Sequence, residues 1–317
     1  MMNEPSVRRR GFLESLGSAA LFGAASGCAL PALTPKNRVL RIAHMTDFHV
    51  QPEGDSADES ARALRHAQDQ SDPPSVVFNT GDSIMDGLET SLKRAEEQWD
   101  LFVGIVRDEC RIPVVHVIGN HDVWGWGLAS STLVSGDPVH GKEMAMEKLG
   151  LAGRYYSFDR AGWHFVVLDS SHAPSSAVHY PYIAKLDDEQ LDWFVRDVEA
   201  VWSTTPICVL SHIPLLAACV YFDGPNEDSG NWVVPASWMH IDARRLRQLF
   251  LEHPNVRLCL SGHTHQQEAL DYMGVRYVTG GSICGKWWDG AYLDNPRSYA
   301  MIDLYDDGSV DSTVVSY

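Results

Sequence analysis

The stretch "LCLSGHTHQQ", residues 258–267, ends a short apolar run with two histidines one residue apart, His263 and His265. In an extended backbone alternate side chains point the same way, so both imidazoles can reach one point beyond the strand end. Neutral imidazole is a common metal ligand, and Gly262 allows the backbone to turn sharply there. The alternative is a pair of solvated loop histidines, and the rest of the chain has to decide between the two.

Strands and helices are predicted to alternate on both sides of this stretch. Beyond residue 38, apolar runs of strand length alternate with longer amphipathic stretches. The hairpin pattern "RYYSFDRAGWHFVVLDS" turns at 160–162, and the tail is expected to form antiparallel strands. Neither an internal repeat nor a Pro/Ser-rich linker interrupts residues 36–317. We therefore predict one α/β domain there, with strands sandwiched between helices.

Residues 1–35 have a different character. Three arginines precede a weakly apolar Gly/Ala-rich run, which is typical of an export signal followed by a short linker. Arg9-Arg10-x-Phe12-Leu13 resembles the twin-arginine signal, a receptor-read address, and predicts a periplasmic or envelope-attached protein. "AASGC" resembles a lipobox, which would make Cys28 a lipid anchor, but it lacks the usual large aliphatic residue. An uncleaved membrane anchor or a disordered tail are the alternatives.

The charge balance narrows the class of ligand. The chain has 25 Lys+Arg against 42 Asp+Glu and a net charge of −17, which opposes a nucleic-acid polymer that needs a basic track. The five cysteines beyond residue 35 are scattered and predict neither a zinc ribbon nor a disulfide framework. A small ligand is favoured.

Polar residues follow five of the predicted strands at the point where each strand ends. In α/β sheets, ligands bind in the crevice beyond the carboxyl ends of the strands. Carboxylate, amide and imidazole groups gathered there are typical of a metal site, whereas any one of them alone would be an ordinary loop residue. In chain order the residues are Asp47 and His49, Asp82, Asn120 with His121 and Asp122, His212, and His263 with His265.

The order D-x-H, G-D, G-N-H-D, a lone His and G-H-x-H resembles the calcineurin-like metallophosphoesterase superfamily over residues 39–282. The resemblance implies a four-layer α-β-β-α sandwich. It also implies that His121 is a non-ligand histidine beside the phosphate, oriented by Asp122. It implies two metal sites that share Asp82, the first completed by Asp47, His49 and His265 and the second by Asn120, His212 and His263.

Phosphoester hydrolysis needs these residue types for physical reasons. Two divalent ions about 3.5–4 Å apart neutralise the phosphoester oxygens and lower the pKa of a bridging water, which becomes the attacking hydroxide. Mixed imidazole and carboxylate ligands suit Mn, Fe or Zn. A protonated His121 can donate to the leaving oxygen.

The leading interpretation is a dinuclear-metal phosphoesterase that acts on phosphodiesters or phosphomonoesters. It is most similar to the branch that includes cyclic-nucleotide phosphodiesterases, so the substrate is expected to be a small phosphoester such as a nucleotide. A phosphomonoesterase or protein phosphatase on the same site and a catalytically silent metal-binding envelope protein are the alternatives.

Two features near the motifs have open roles. Many superfamily members have a second Asp three residues after the bridging Asp, but here Met85 occupies that position and Asp86 follows, where it is expected to be a turn residue. Lys286 is a candidate phosphate contact or a solvated charge. Three loops hold six tryptophans that would stack on a base or sugar or, as we favour, form the loops' own cores: Trp124, Trp126, Trp232, Trp238, Trp287 and Trp288.

Overall fold

The structure is a computed structural model that describes residues 36–128, 140–173 and 181–317. The predicted export signal at residues 1–35, with Arg9, Arg10 and Cys28, lies outside these ranges and stays a prediction. Lys36–Tyr317 forms one compact unit. Within the described ranges, no helix combines the length and apolar character that crossing a membrane requires.

Helices and strands alternate along the chain, as the apolar periodicity predicts. The helices in the described ranges are α1 (Ser56–Gln68), α2 (Leu92–Glu109), α3 (Glu143–Leu149), α4 (Asp188–Ala200) and α5 (Ala243–Glu252), with one 3-10 turn at Cys219–Phe222. The side chain of Ser91 caps α2 by accepting from the Arg94 amide, and that of Asp187 caps α4 by accepting from the Gln190 amide.

The first sheet has five strands in the order β13-β12-β1-β2-β3. β1 is parallel to β2, and β2 is parallel to β3, so the carboxyl ends of these three strands meet at one edge. The strands are β1 (Arg38–Met45), β2 (Val76–Asn79), β3 (Val114–His116), β12 (Ser298–Tyr305) and β13 (Val310–Ser316).

The second sheet has six strands in the order β10-β11-β9-β8-β5-β4. β5, β8, β9 and β11 are parallel neighbours, whereas β4–β5 and β10–β11 are antiparallel hairpins, as is β12–β13 in the first sheet. The predicted hairpin turn at 160–162 is confirmed. The strands are β4 (Tyr156–Arg160), β5 (Trp163–Val167), β8 (Ile207–Leu210), β9 (Val256–Ser261), β10 (Gln267–Tyr272) and β11 (Val275–Gly280), with a separate short pair β6 (Ser171–His172) and β7 (Ile183–Ala184).

Strand alternation produces four layers. Ile42 and Phe78 of the first sheet belong to the same buried cluster as Phe165 of the second sheet, so the inner faces of the two sheets pack together. The outer face of the first sheet packs with α1 and α2 through residues such as Trp99. The outer face of the second sheet packs with α4 and α5 through residues such as Phe194. The predicted α-β-β-α sandwich is confirmed.

Candidate metal centre

The carboxyl ends of the parallel strands bring the predicted ligands together. Asp47 and His49 follow β1, Asp82 follows β2, Asn120 follows β3, His212 follows β8, and His263 and His265 follow β9. Asp47, His49, Asp82 and His212 have fully buried side chains, and Asn120 is buried as a residue. The two sheets thus meet at one buried polar cluster.

Asp82 lies at the centre of this cluster. Its Oδ2 is 3.1 Å from His212 Nε2 and 3.6 Å from His49 Nε2. Two groups of three side chains, His49–Asp82–His121 and Asp82–His212–His263, each have potential ligand atoms within 4.8 Å of one another. Because Asp82 belongs to both groups, one carboxylate faces two imidazole sets, which is the arrangement that two neighbouring cations require.

The remaining predicted ligands extend the cluster on both sides. Toward the first set, His265 Nε2 lies 3.2 Å from His49 Nε2 and 3.3 Å from Asp47 Oδ1. Toward the second set, Asn120 Oδ1 lies 2.9 Å from His212 Nε2. The structure therefore brings all seven predicted ligands into one site, with Asp82 between the two sets.

Backbone carbonyls orient three of the imidazoles. The Nδ1 atom of His212 lies 2.9 Å from the Thr80 carbonyl oxygen, and that of His265 lies 2.5 Å from the Gly285 carbonyl oxygen. The Nδ1 atom of His49 is 3.4 Å from the Met85 carbonyl oxygen. When Nδ1 donates to a carbonyl, Nε2 keeps its lone pair for a cation. All three rings present Nε2 to the cluster.

Five of the seven predicted ligands have left-handed backbone conformations. Such a conformation costs an L-residue other than glycine about 1–2 kcal/mol. It makes the chain turn directly after each strand, so that the polar side chains converge at the strand ends. Strain of this kind collects at functional sites. The φ angles are 55° at Asp47, 45° at His49, 51° at Asp82, 71° at His263 and 55° at His265.

Glycines allow the ligand segments to approach one another closely. A Cβ atom on Gly119 would lie 2.2 Å from the Asp82 Oδ1 atom, and one on Gly262 would lie 2.5 Å from the Asp47 Oδ2 atom. Neither position can hold a larger residue without moving a predicted ligand. The G-N-H-D and G-H-x-H motifs therefore need their glycines for space.

The pKa values of the clustered imidazoles fit a cation at this site. Burial lowers the pKa of His49 and of His263 to about 3, so both rings are neutral, the form that binds metals. Burial alone would lower the pKa of His212, but the charge of Asp82 outweighs it and the pKa rises to about 9. The cluster thus attracts positive charge that a divalent ion supplies in place of protons.

The predicted role of Asp122 in orienting His121 is wrong. Its carboxylate accepts from the backbone amides of Ser83 at 2.8 Å and Ile84 at 3.3 Å through Oδ1, and from Gly119 at 2.8 Å through Oδ2. These bonds tie the loop after β2 to the loop after β3 and use both oxygens. Burial and the negative charge of Asp82 raise the pKa of Asp122 to about 7. Asp122 therefore has a structural role and connects the two loops that carry Asp82 and Asn120.

Asp86 is the carboxylate beside His121. The His121 Nδ1 atom lies 3.5 Å from Asp86 Oδ1, an ion-pair contact. The turn interpretation of Asp86 was incomplete, because its carboxylate accepts from the Leu88 and Glu89 amides and also faces the ring of His121. Burial lowers the pKa of His121, but the charges of Asp82 and Asp86 outweigh it, so the pKa lies above its usual value.

No sequence pattern indicated that Cys284 lies beside the cluster. Its Sγ atom lies 3.8 Å from His265 Nδ1, and His49, His265 and Cys284 form a third group of potential ligand atoms. Cys284 comes from the loop after β11, which holds Lys286 and Trp287 but lies outside the metal-ligand motifs. The cysteines of the described residues are all free.

The tryptophans divide between core and surface. Trp124 is buried and donates through Nε1 to the Thr90 carbonyl, and Trp288 donates to the His49 carbonyl at 2.9 Å. Trp232 and Trp287 are 55% and 43% exposed. Lys286 Nζ lies 3.7 Å from Asp289 Oδ2 at the surface, as expected of a solvated charge.

Comparison with known proteins agrees with this geometry. The sequence model described as calcineurin-like phosphoesterase matches residues 40–267, which is more than half of the chain. The chain belongs to the calcineurin-like phosphoesterase family. This phosphoesterase is a metal-dependent hydrolase of a family that uses dinuclear metal centres, and its described residues include candidate ligands for both ions.

Similar proteins extend the comparison. A 3',5'-cyclic-nucleotide phosphodiesterase of Nostoc sp. is 23% identical over 284 residues, which cover 85% of this phosphoesterase and 90% of the relative. The 3',5'-cyclic adenosine monophosphate phosphodiesterase CpdA of Escherichia coli K12 is 23% identical over 255 residues, which cover 77% and 76%. A dimetal phosphatase of Danio rerio superposes with a TM-score of 0.58 at 15% identity, covering 89% of this chain and 100% of that chain, a similarity of fold alone.

Proposed function

We propose that this protein hydrolyses small phosphodiesters, cyclic nucleotides among them, at a dinuclear metal centre built around Asp82. One observation carries the proposal: the buried Asp82 carboxylate is 3.1 Å from His212 Nε2 and 3.6 Å from His49 Nε2, and so lies between two imidazole sets. A shared carboxylate holds two cations close enough to act on one phosphate.

The two proposed ion sites use the residues that the strand ends bring together. When bound, the metal pair supplies positive charge that offsets the phosphoester oxygens and activates a water molecule. Mn, Fe and Zn fit the mixed donor set best. The first site is assigned to Asp47, His49, Asp82 and His265, and the second to Asp82, Asn120, His212 and His263.

His121 is proposed as the acid that protonates the leaving oxygen. Its side chain is 26% exposed, so it reaches the open side of the cluster. Its backbone amide donates to Asp82 Oδ1 at 2.8 Å, which holds the residue against the proposed bridging carboxylate. Asp86 stabilises the protonated imidazole through Nδ1 and leaves Nε2 for the substrate. Asp86 is thus a positioning residue for His121.

The proposed substrate class rests on the relatives and on charge. The two curated relatives above are named for 3',5'-cyclic nucleotide hydrolysis. A net charge of −17 disfavours a nucleic-acid polymer but leaves a small ester free to reach a local cationic centre.

Rates on three substrates test this proposal. Full-length protein loaded with Mn, Fe or Zn is assayed on bis(p-nitrophenyl) phosphate, cyclic AMP and p-nitrophenyl phosphate. We expect metal-dependent turnover that is faster on both diesters than on the monoester. Faster turnover of the monoester would replace the proposal with a phosphomonoesterase or protein phosphatase, and no turnover with any metal would reject hydrolysis.

We also propose export through the twin-arginine pathway, supported by the pattern at residues 8–28. Replacing Arg9 and Arg10 by lysine keeps the charge but removes the address, so the protein should remain in the cytoplasm on cell fractionation. Unchanged export of this variant would contradict the proposal. Mass spectrometry of the exported chain would show whether Cys28 carries a lipid.

A further inference from the structure

Trp287 is an exposed aromatic ring in contact with the proposed metal ligands. Its ring centroid is 4.6 Å from that of His265, with an interplanar angle of 37°, and 6.0 Å from that of His49. The residue is nevertheless 43% exposed. Large aromatic side chains normally bury their surface, so an indole left open beside a catalytic cluster has surface free for a ligand.

The loop that carries Trp287 is held in a strained conformation. Trp287 and Trp288 are consecutive residues with φ of 44° and 72°. Bulky residues in this conformation are true outliers and persist only where the surroundings over-determine them. The strain places one indole in the protein and the other at the surface.

Contacts with the metal cluster and with the loop itself maintain this conformation. The His265 Nδ1 atom lies 2.5 Å from the Gly285 carbonyl oxygen, and Trp288 Nε1 donates to the His49 carbonyl at 2.9 Å. Arg297 donates to the Trp288 carbonyl at 2.8 Å. The Trp287 ring is therefore ordered before any ligand binds, which lowers the entropic cost of stacking on it.

Tyr292 fixes the Trp287 ring from a second direction. The two rings are perpendicular, at 90°, with centroids 5.7 Å apart. The Tyr292 hydroxyl donates to Asp223 Oδ1 at 2.8 Å, and Tyr292 also lies 5.7 Å from the His265 ring. His265 and Tyr292 together hold the indole, which is partly exposed beside the cluster.

We propose that Trp287 forms a binding subsite for a planar ring of the substrate, such as a nucleobase, which stacks on the exposed indole while the phosphate occupies the metal centre. This inference deepens the proposed function and rests on it for the position of the phosphate. Stacking tolerates many bases, because every base has a π-face, so the subsite selects planar groups rather than one base.

Trp288 has a different role although it is the adjacent residue. It packs against the helical side of the first sheet, and its ring lies 4.8 Å below the Arg297 guanidinium. Both its ring and its Nε1 are therefore engaged by the protein. The subsite is assigned to Trp287 alone, and Trp288 anchors the loop.

A matched pair of ligands isolates the contribution of the ring. Isothermal titration calorimetry of the metal-loaded, full-length protein compares AMP with ribose 5-phosphate, which has the same phosphate and sugar but no base. We expect AMP to bind about tenfold or more tightly in the wild type. In Trp287→Leu the two affinities should become nearly equal, because only the stacking partner is lost.

Two further variants make the result specific. Trp287→Phe keeps a planar ring and should retain most of the preference for AMP. Trp202→Leu removes an indole that is 82% exposed near the amino end of β8, and it should leave the preference unchanged. Metal content and melting temperature are measured for each variant, so that loss of the cluster is not mistaken for loss of stacking.

The outcomes separate this inference from the proposed function. Equal affinity for AMP and ribose 5-phosphate in the wild type, or an unchanged preference in Trp287→Leu, overturns the subsite even where the enzyme turns over diesters. If Trp287→Leu abolishes the preference for AMP but the wild-type protein shows no hydrolytic turnover, the subsite is supported and the hydrolase is rejected. The subsite is also overturned if Trp287→Leu loses metal and Trp287→Phe retains metal but loses the preference for AMP.

Discussion

Left-handed backbone conformations occur at both ends of the parallel strands, but they have a different structural role at each end. At the amino end of β5 and of β11, Ala161 and Met273 have φ of 54° and 51°, and each precedes a glycine in a two-residue hairpin turn. These are type I′ turns, which require positive φ at both central residues. At the carboxyl ends, Asp and His residues adopt the conformation outside any hairpin. The strain serves turn closure at one end and convergence of polar groups at the other.

The comparison shows how strain points to function. Left-handed residues in hairpins are explained by local chain reversal and need no ligand. Five left-handed polar residues after three different strands have no such local explanation, and four of them gather around the fifth, the buried Asp82. A bound cation pair would offset this cost, because it would interact with several of the converging groups at once.

The largest effect is expected from removing the Asp82 carboxylate, which lies at the carboxyl ends of the strands. Asp82→Ala removes the oxygen that faces both imidazole sets, so we expect diesterase activity to fall on the order of a thousandfold and metal content to fall with it. Steady-state kinetics and elemental analysis measure both. Asp307→Asn, in the turn between β12 and β13, is the matched control and should change neither. Full activity in Asp82→Ala would refute the bridging role.

The next effect separates acid catalysis from metal binding at the same end. His121→Asn keeps the backbone amide that donates to Asp82 but removes the proton donor. We expect kcat to fall about 100- to 1,000-fold with metal content unchanged, and to fall least for substrates with good leaving groups. His253→Asn, just before β9 at the opposite end, serves as the control. Loss of metal in His121→Asn would mean that His121 is a ligand.

A smaller effect tests which carboxylate supports His121. Asp86→Asn removes a negative charge that raises the pKa of His121. A protonated imidazole is needed, so activity is present below this pKa and lost above it. The alkaline limb of the kcat–pH profile should therefore shift to lower pH. Asp122→Ala should instead destabilise the protein by about 1–3 kcal/mol, because three amides lose their acceptor. An unchanged pH profile in Asp86→Asn would show that Asp86 does not support the protonated form of His121.

The smallest effect is expected from a substitution in a hairpin turn, at the amino ends of the parallel strands. Ala161 is exposed and left-handed, and Gly162 follows it. Asn tolerates this conformation better than Ala, and Asn-Gly is a preferred sequence for such a turn. Ala161→Asn should therefore stabilise the fold by about 0.5 kcal/mol and leave kcat and metal content unchanged. Denaturant unfolding measures the gain. A drop in activity would show that the two ends are coupled.

The fold and the convergence of the candidate ligands could be predicted from the sequence, because both depend on the order of residues along the chain. Polar residues at the ends of five apolar runs predict convergence, since the ends of parallel strands share an edge. The partner of His121 was not accessible in this way. Asp122 is adjacent in sequence, but its carboxylate turns toward the backbone amides of two loops, whereas Asp86 reaches His121 from the loop after β2.

The left-handed backbone of the ligand residues and the path of the loop after β11 also could not be predicted from the sequence. Nothing in the identity of an Asp or a His indicates positive φ, which is a property that the surroundings impose. Trp287 was a stacking candidate in the sequence, but its position beside the cluster was not indicated. That position, like that of Cys284, depends on the path of the loop after β11, which the contacts of Gly285 with His265 and of Trp288 with His49 maintain. Such contacts are tertiary, and no local pattern encodes them.

Counting and locating metal ions in the metal-loaded protein tests the central claim most directly. Elemental analysis combined with anomalous diffraction should find two ions per chain on opposite sides of the Asp82 carboxylate, with His49 and His265 at one and His212 and His263 at the other. A single ion, or ions bound away from Asp82, would contradict the account.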